Sequence, residues 1–222
     1  MRLFLATDAL DDVRWATERG LIDGVVLPDA ALRGGSSPAD SLAWLADFAR
    51  AAAMPIFVTL NAPSAELAAV EAEQLGRVAD NVVVQLPFAD PYIPLMHRLA
   101  STGVKVASTF IGSASQAMLA ARTGAAFIFV DVDRIDAAGA DASSTLSQAR
   151  RLLNSAASES DLVAVFPSPG TALAACALAG ADAAVIGSAA LRAMIAYPFT
   201  DQSLMDGARR PSQGERLRVT AS

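Results

Sequence analysis

Short apolar runs and longer amphipathic stretches take turns along the whole chain. The runs lie near 2–6, 23–27, 55–60, 82–86, 104–109, 126–131, 162–166 and 183–187. They are rich in Val, Ile, Leu and Phe and too short for helices, so they read as buried strands. Between them stand Ala/Leu-rich segments with helical spacing at 10–19, 38–52, 64–77, 92–101, 114–122, 143–156, 171–178 and 189–196. Caps agree with this division. Asp8 or Asp11 is placed to cap the first helix, Ser36 or Ser37 the second and Ser64 the third. Gly20, Gly103, Gly124 and Gly180 each close a helix just before a strand.

A strand-then-helix order repeated about eight times predicts one parallel (β/α)8 TIM barrel over residues 1–210, with no internal boundary. A helical pattern over 199–210 ends that unit, and a polar tail, 211–222, follows. The alternative is an open doubly wound sheet, but no Gly-x-Gly-x-x-Gly turn follows the first strand. Segments 33–37 and 136–144 read as loops of small residues.

Composition narrows the class. Hydrophobic residues make up 53% of the 222 and charged ones 18%, enough for a large core. The formal charge is −6 and the sequence pI is near 4.7, with no basic run, which argues against nucleic acid and anionic membranes. The lone cysteine, Cys176, has no internal partner, so a reducing, cytoplasmic location is the expectation. The first residues form too short an apolar run for a signal peptide, and no stretch is long and apolar enough to span a bilayer.

Candidate chemistry gathers at the carboxyl ends of the expected strands, where barrels of this class place it. Gln85 is the one polar side chain in the run Val82–Leu86. With Gln85 and Thr109 facing inward, alternation places Ala6, Val26, Thr59 and Asp131 in the same upper layer, with Asn61 and Asp133 just above. Asp131 is a candidate acid/base if poorly solvated, or the ion-pair partner of Arg134. The string Asp131, Asp133, Asp136 has no second His or acidic cluster beside it, so neither a metal nor any cofactor is expected. Ser168 and Ser188 open the turns after strands seven and eight, a frequent phosphate or carboxylate site, and Arg134 would add a charge-assisted contact. Helix capping by the same serines is the alternative, and anion binding is the preferred reading. His97 falls on a helix away from the strand ends, and no catalytic triad can be assembled around it.

Several strings carry a resemblance: Leu21-Ile22-Asp23-Gly24-Val25, Asp80-Asn81-Val82-Val83-Val84, Gly103-Val104-Lys105-Val106 followed by Thr109, Ser115-Gln116-Ala117, Asp133-Arg134-Ile135-Asp136, Ala177-Leu178-Ala179-Gly180-Ala181-Asp182, and Tyr197-Pro198. Together, and to about residue 205, they resemble the small transaldolases and fructose-6-phosphate aldolases, class I aldolases on an eight-stranded barrel. The resemblance implies a Schiff-base lysine at position 85, where this chain has Gln85. It implies an aspartate at Ala6, an acidic or amide residue at Thr59, an aromatic at Asp131 and a serine near Val165 or Phe166. An asparagine is implied within Val26-Leu27-Pro28-Asp29 and is absent. Thr109 and Arg134 are kept and resemble a water-orienting and a phosphate-binding residue.

An amide cannot replace an amine as nucleophile, because its nitrogen lone pair is delocalised. The single lysine, Lys105, lies four residues before Thr109, about 13 Å lower along the strand at about 3.3 Å per residue. The expectation is therefore a transaldolase-like barrel that binds a small phosphorylated or carboxylated polyol. It would transform that ligand by non-covalent acid/base chemistry: isomerisation, dehydration or cyclisation. Asp131, Gln85 and Thr109 would be catalytic; Thr59, Asn61, Asp133, Arg134, Ser168 and Ser188 would bind substrate. The alternatives are a non-catalytic ligand-binding or structural homologue, and residual aldolase activity. The resemblance also implies a homo-oligomer, a pentamer or decamer.

Overall fold

The computed structural model describes residues 1–29, 31–33, 37–60, 62, 64–166, 171–196 and 198–209. Eight parallel strands close on one another in sequence order: β1 (Arg2–Ala6), β2 (Gly24–Val26), β3 (Ile56–Thr59), β4 (Val82–Pro87), β5 (Val106–Ile111), β6 (Phe127–Val130), β7 (Asp161–Val165) and β8 (Ala183–Gly187). The closing pair is β1 with β8, in register from Arg2↔Ala183 to Ala6↔Gly187. The helices are α1 (Leu10–Thr17), α2 (Pro38–Ala52), α3 (Ala65–Gly76), α4 (Ile93–Ser101), α5 (Ala114–Arg122), α6 (Val132–Ala137), α7 (Ala142–Ser155), α8 (Thr171–Leu178), α9 (Ser188–Ile195) and α10 (Pro198–Arg209). The expected barrel is the observed one.

Two shells of apolar side chains hold it. Outward strand positions such as Leu5, Ile56, Val84, Val106, Ile128 and Ala164 pack against the helices. Inward positions form a separate core of Phe4, Phe57, Val83, Ala107, Phe127, Phe129, Val163, Ala183 and Val185. The Phe57 ring stacks 4.8 Å from Phe4, 4.9 Å from Phe127 and 5.2 Å from Phe129, which fills the barrel's lower and middle layers. Gly24 makes room for this floor: a Cβ there would stand 2.9 Å from the Phe4 ring. Below it, Arg2 and Asp161 pair at 2.6 Å, and the exposed Lys105 donates from Nζ to the Asp80 carbonyl at 3.2 Å. The only lysine is thus spent at the end opposite to the strand tips.

Local chemistry explains most boundaries. Ser37 caps α2 by accepting from the Asp40 N–H at 3.2 Å, and Ser64 caps α3 through Leu67 at 3.4 Å. The first helix departs from expectation. Its cap position is Ala9, without a side-chain bond, and Thr7 Oγ1 accepts the Ala9 N–H instead of Asp8 or Asp11 capping the turn. Gly20, Gly103, Gly124 and Gly180 all adopt positive φ, as helix-closing glycines do. Residues 132–137, mostly outside any expected element, form the short helix α6; its only apolar pair, Val132 and Ile135, is buried, a signal too brief to read as a period. Ser36 lies outside the described residues. Among the described residues no helix is long and apolar enough to cross a membrane.

Candidate functional site

At the carboxyl end of the strands the inward core stops and a cavity of about 490 Å³ opens. Its floor and lower wall come from Ala6, Val26, Thr59, Gln85, Thr109 and Phe129; its mouth from Asp29, Phe110, Asp131, Asp133, Arg134 and Phe166. The upper layer inferred from alternation (Ala6, Val26, Thr59, Gln85, Thr109, Asp131) is therefore gathered in one place. Strand pairing explains it: Thr59 lies opposite Gln85 on neighbouring strands, and both follow inward aromatic or aliphatic residues by two.

Gln85 is 4% exposed. Its Oε1 accepts from Thr59 Oγ1 at 2.9 Å. Among the described residues this is the amide's one hydrogen bond, so its NH2 group, on the cavity wall, has no protein partner there. Thr109 also reaches the cavity, and the reason is local. Between Ser108↔Ile128 and Ile111↔Val130, β5 holds one residue more than β6. The bulge bends the strand at Thr109 and Phe110, and Phe110 takes a left-handed backbone at φ +60°. The result is that two consecutive side chains, not alternate ones, face the cavity. Phe166, just past β7, is left-handed too, at φ +48°. Both rings are about half exposed at the mouth.

Asp131 follows β6 and caps α6. Its Oδ1 accepts from the Arg134 backbone N–H at 3.4 Å, and its Oδ2 meets Arg134 Nε at 3.1 Å. Of the two roles open to Asp131, the structure has the ion pair. The Arg134 guanidinium also lies 5.3 Å from the Phe110 ring centre. Asp133 lines the same mouth without a cation within ion-pairing distance among the described residues. Its carboxyl pKa is raised, first by partial desolvation, then by the negative charges of Asp131 and Asp136. Although its surface is open on one side, the protein wall and two like charges act on the other.

The remaining expected residues fall elsewhere. Ser188 starts α9 but does not line the cavity. Beside that turn lies Asp12, whose pKa is lowered mainly by its hydrogen bond to Arg192, with Ser188 acting in the same direction. Arg192 Nη2 sits 2.8 Å from that carboxylate and its guanidinium stacks on Trp15 at 3.8 Å, so the turn after β8 serves the seam between α1 and α9. Asn61 and Ser168 lie outside the described residues. Sequence reasoning missed Asp29, Phe110 and Phe129 as cavity walls. Period-two alternation turns Phe110 outward, and nothing local announces the bulge, since a phenylalanine occupies the position where glycine would mark it. Among the described residues no cluster of three His, Cys, Asp or Glu side chains could hold a metal ion.

A sequence profile described as transaldolase/fructose-6-phosphate aldolase matches residues 44–219. The chain belongs to that family. A probable transaldolase of Hyphomonas neptunium is 30% identical over 211 residues, covering 92% of this chain and 94% of the relative. One from Bartonella quintana is 28% identical over 205 residues, covering 92% and 93%. Among solved structures, FabK from Thermotoga maritima superposes with a TM-score of 0.56 at 18% identity, covering 84% of this chain and 57% of that one, a likeness of fold alone. Within this transaldolase-family barrel the cavity's described walls offer an amide, hydroxyls, carboxylates and a guanidinium, and no amine.

Proposed function

We propose that this transaldolase-family barrel handles a small polyhydroxylated carbonyl compound without forming an imine. The observation that carries the reading is Gln85: almost fully buried, turned to the barrel axis, with its NH2 open to the cavity. The amide N–H groups and the Thr109 hydroxyl are donors for a carbonyl oxygen or the enolate formed from it. Asp133 supplies the base. A carboxylate whose pKa is raised is a stronger base at neutral pH than an ordinary one, and Asp131, held by Arg134, is the weaker candidate for proton transfer. Proton removal beside the carbonyl leaves an enolate. Return of the proton to the neighbouring carbon gives isomerisation; loss of a β-hydroxyl as water gives dehydration.

A binding-only barrel is the second reading. It is favoured by the way Thr59 engages Gln85 and Arg134 engages Asp131, which satisfies part of the site internally. Incubation with fructose or dihydroxyacetone in D2O, followed by NMR, separates the two. The acid/base reading predicts deuterium beside the carbonyl, slowed at least about a hundredfold in Asp133→Asn. Binding without exchange supports the second reading.

A further inference from the structure

We infer that the cavity selects a carbonyl compound with oxygens along one side and hydrocarbon along the other, in preference to one hydroxylated at every carbon. The inference rests on the non-covalent reading above and names its substrate class. The strands line the cavity in two arcs. Three consecutive strands, β3 to β5, bring Thr59, Gln85 and Thr109, and Asp131 follows the next, β6. The other four, β7, β8, β1 and β2, are consecutive too, because the barrel closes between β8 and β1. They bring Val165, Val185, Ala6 and Val26. None of these four side chains can donate or accept a hydrogen bond. Register keeps each arc together: Thr59 lies opposite Gln85, Ala6 opposite Val26, and Val165 opposite Val185.

Each arc makes its own demand on a ligand. Gln85 is more than nine-tenths buried, and its NH2, on the cavity wall, has no partner among the described residues. A buried donor of this kind needs an oxygen within reach. Thr109 adds a hydroxyl on the next strand. Across the barrel a ligand meets methyl groups instead. Val185 is fully buried, and Ala6, Val26 and Val165 are part-buried walls beside it. A hydroxyl set against this arc gives up its water and gains no bond in return. A methyl or methylene there gains by leaving water. Phe129, which precedes Asp131 on the polar side, is 2% exposed and belongs to the floor. The two arcs together therefore sort ligands by where their oxygens lie, a sorting that an all-polar or all-apolar cavity could not make.

Three hydroxyketones test this by ligand-observed NMR titration at pH 7. They are dihydroxyacetone, hydroxyacetone, which has a methyl in place of one hydroxymethyl, and 1-hydroxy-2-butanone, which has an ethyl there. Hydroxyacetone should bind about fivefold or more tightly than dihydroxyacetone, the cost of an unpaired buried hydroxyl. The butanone should bind about threefold more tightly again, the gain from one buried methylene. Val26→Thr and Val165→Thr keep the side-chain shape and add a hydroxyl. Each, checked for an unchanged melting curve, should lower the butanone-to-dihydroxyacetone ratio about threefold or more. Val26→Ile, still apolar, should leave dihydroxyacetone the weakest of the three. Should one threonine variant fail to fold, the other carries the comparison. Dihydroxyacetone bound as tightly as the other two, or more so, overturns the inference and leaves the non-covalent reading standing. A ratio that neither threonine variant moves does the same, as does the absence of saturable binding by all three. An imine trapped on the chain removes that reading, whatever the rank order.

Discussion

Gln85 and Ser108 are the two buried polar side chains that matter most on neighbouring strands, and their situations differ. Gln85 has Thr59 on one side and a cavity on the other. Ser108 is 0% exposed, and its hydroxyl has no partner among the described residues. Burying a hydroxyl without a hydrogen bond costs free energy that an alanine of similar size would not incur. Ser108→Ala is expected to raise stability by about 1 kcal/mol, read as a higher urea midpoint with an unchanged slope. A fall in the midpoint would reveal a partner for this hydroxyl. The contrast shows what a single sequence conveys. With Gln85 taken as facing the axis, alternation placed Thr59 in the same layer. It gave no sign that Thr59 would engage the amide, since that pairing depends on the register between two strands.

At the scale of elements, β5 decides the shape of the mouth. Its bulge puts Thr109 and Phe110 side by side and leaves Phe110 in a left-handed conformation. Left-handed backbone costs a bulky residue roughly 1–2 kcal/mol, and glycine costs roughly 0.5–1 kcal/mol in chain entropy. Phe110→Gly should therefore leave stability within about 1 kcal/mol of the parent, where removal of a packed phenylalanine costs about 3–5 kcal/mol. Thermal melts check the first value, and a loss in the core-residue range would show that the ring packs instead of facing the cavity. Elements with several turns were legible: the capped helices α2 and α3 and the strands β4 and β8 stand where periodicity puts them. The bulge and the six-residue α6 were not, because each is shorter than the period that would announce it. They carry Thr109, Asp131, Asp133 and Arg134, so the fold was easier to read than the site.

For the whole molecule, large apolar side chains stand exposed at the end of the described chain. On α10, Phe199 is 72% exposed, Leu204 68% and Met205 63%, and Ile195 at the end of α9 is 50% exposed. Exposed apolar side chains of this size are expected to be covered by association with other copies of the chain. Light scattering should give a mass that is a multiple of the 22.9 kDa chain, and removal of residues 198–222 should return it to that of one chain. A monomer for the full-length chain would contradict this. The net charge of −6 acts at the same scale, as a general repulsion of anions.

Gln85 in place of an amine means that the cavity holds its ligand without a covalent bond. Borohydride reduction in the presence of dihydroxyacetone, read by intact mass, tests it most directly. Gln85→Lys serves as the control that places an amine in the same pocket, where burial lowers a lysine's pKa and exposes its lone pair. The mass of the parent chain should stay unchanged, and Gln85→Lys should carry a reduced adduct. A stable adduct on the parent chain, mapped to Lys105 or to any other nitrogen, would contradict it.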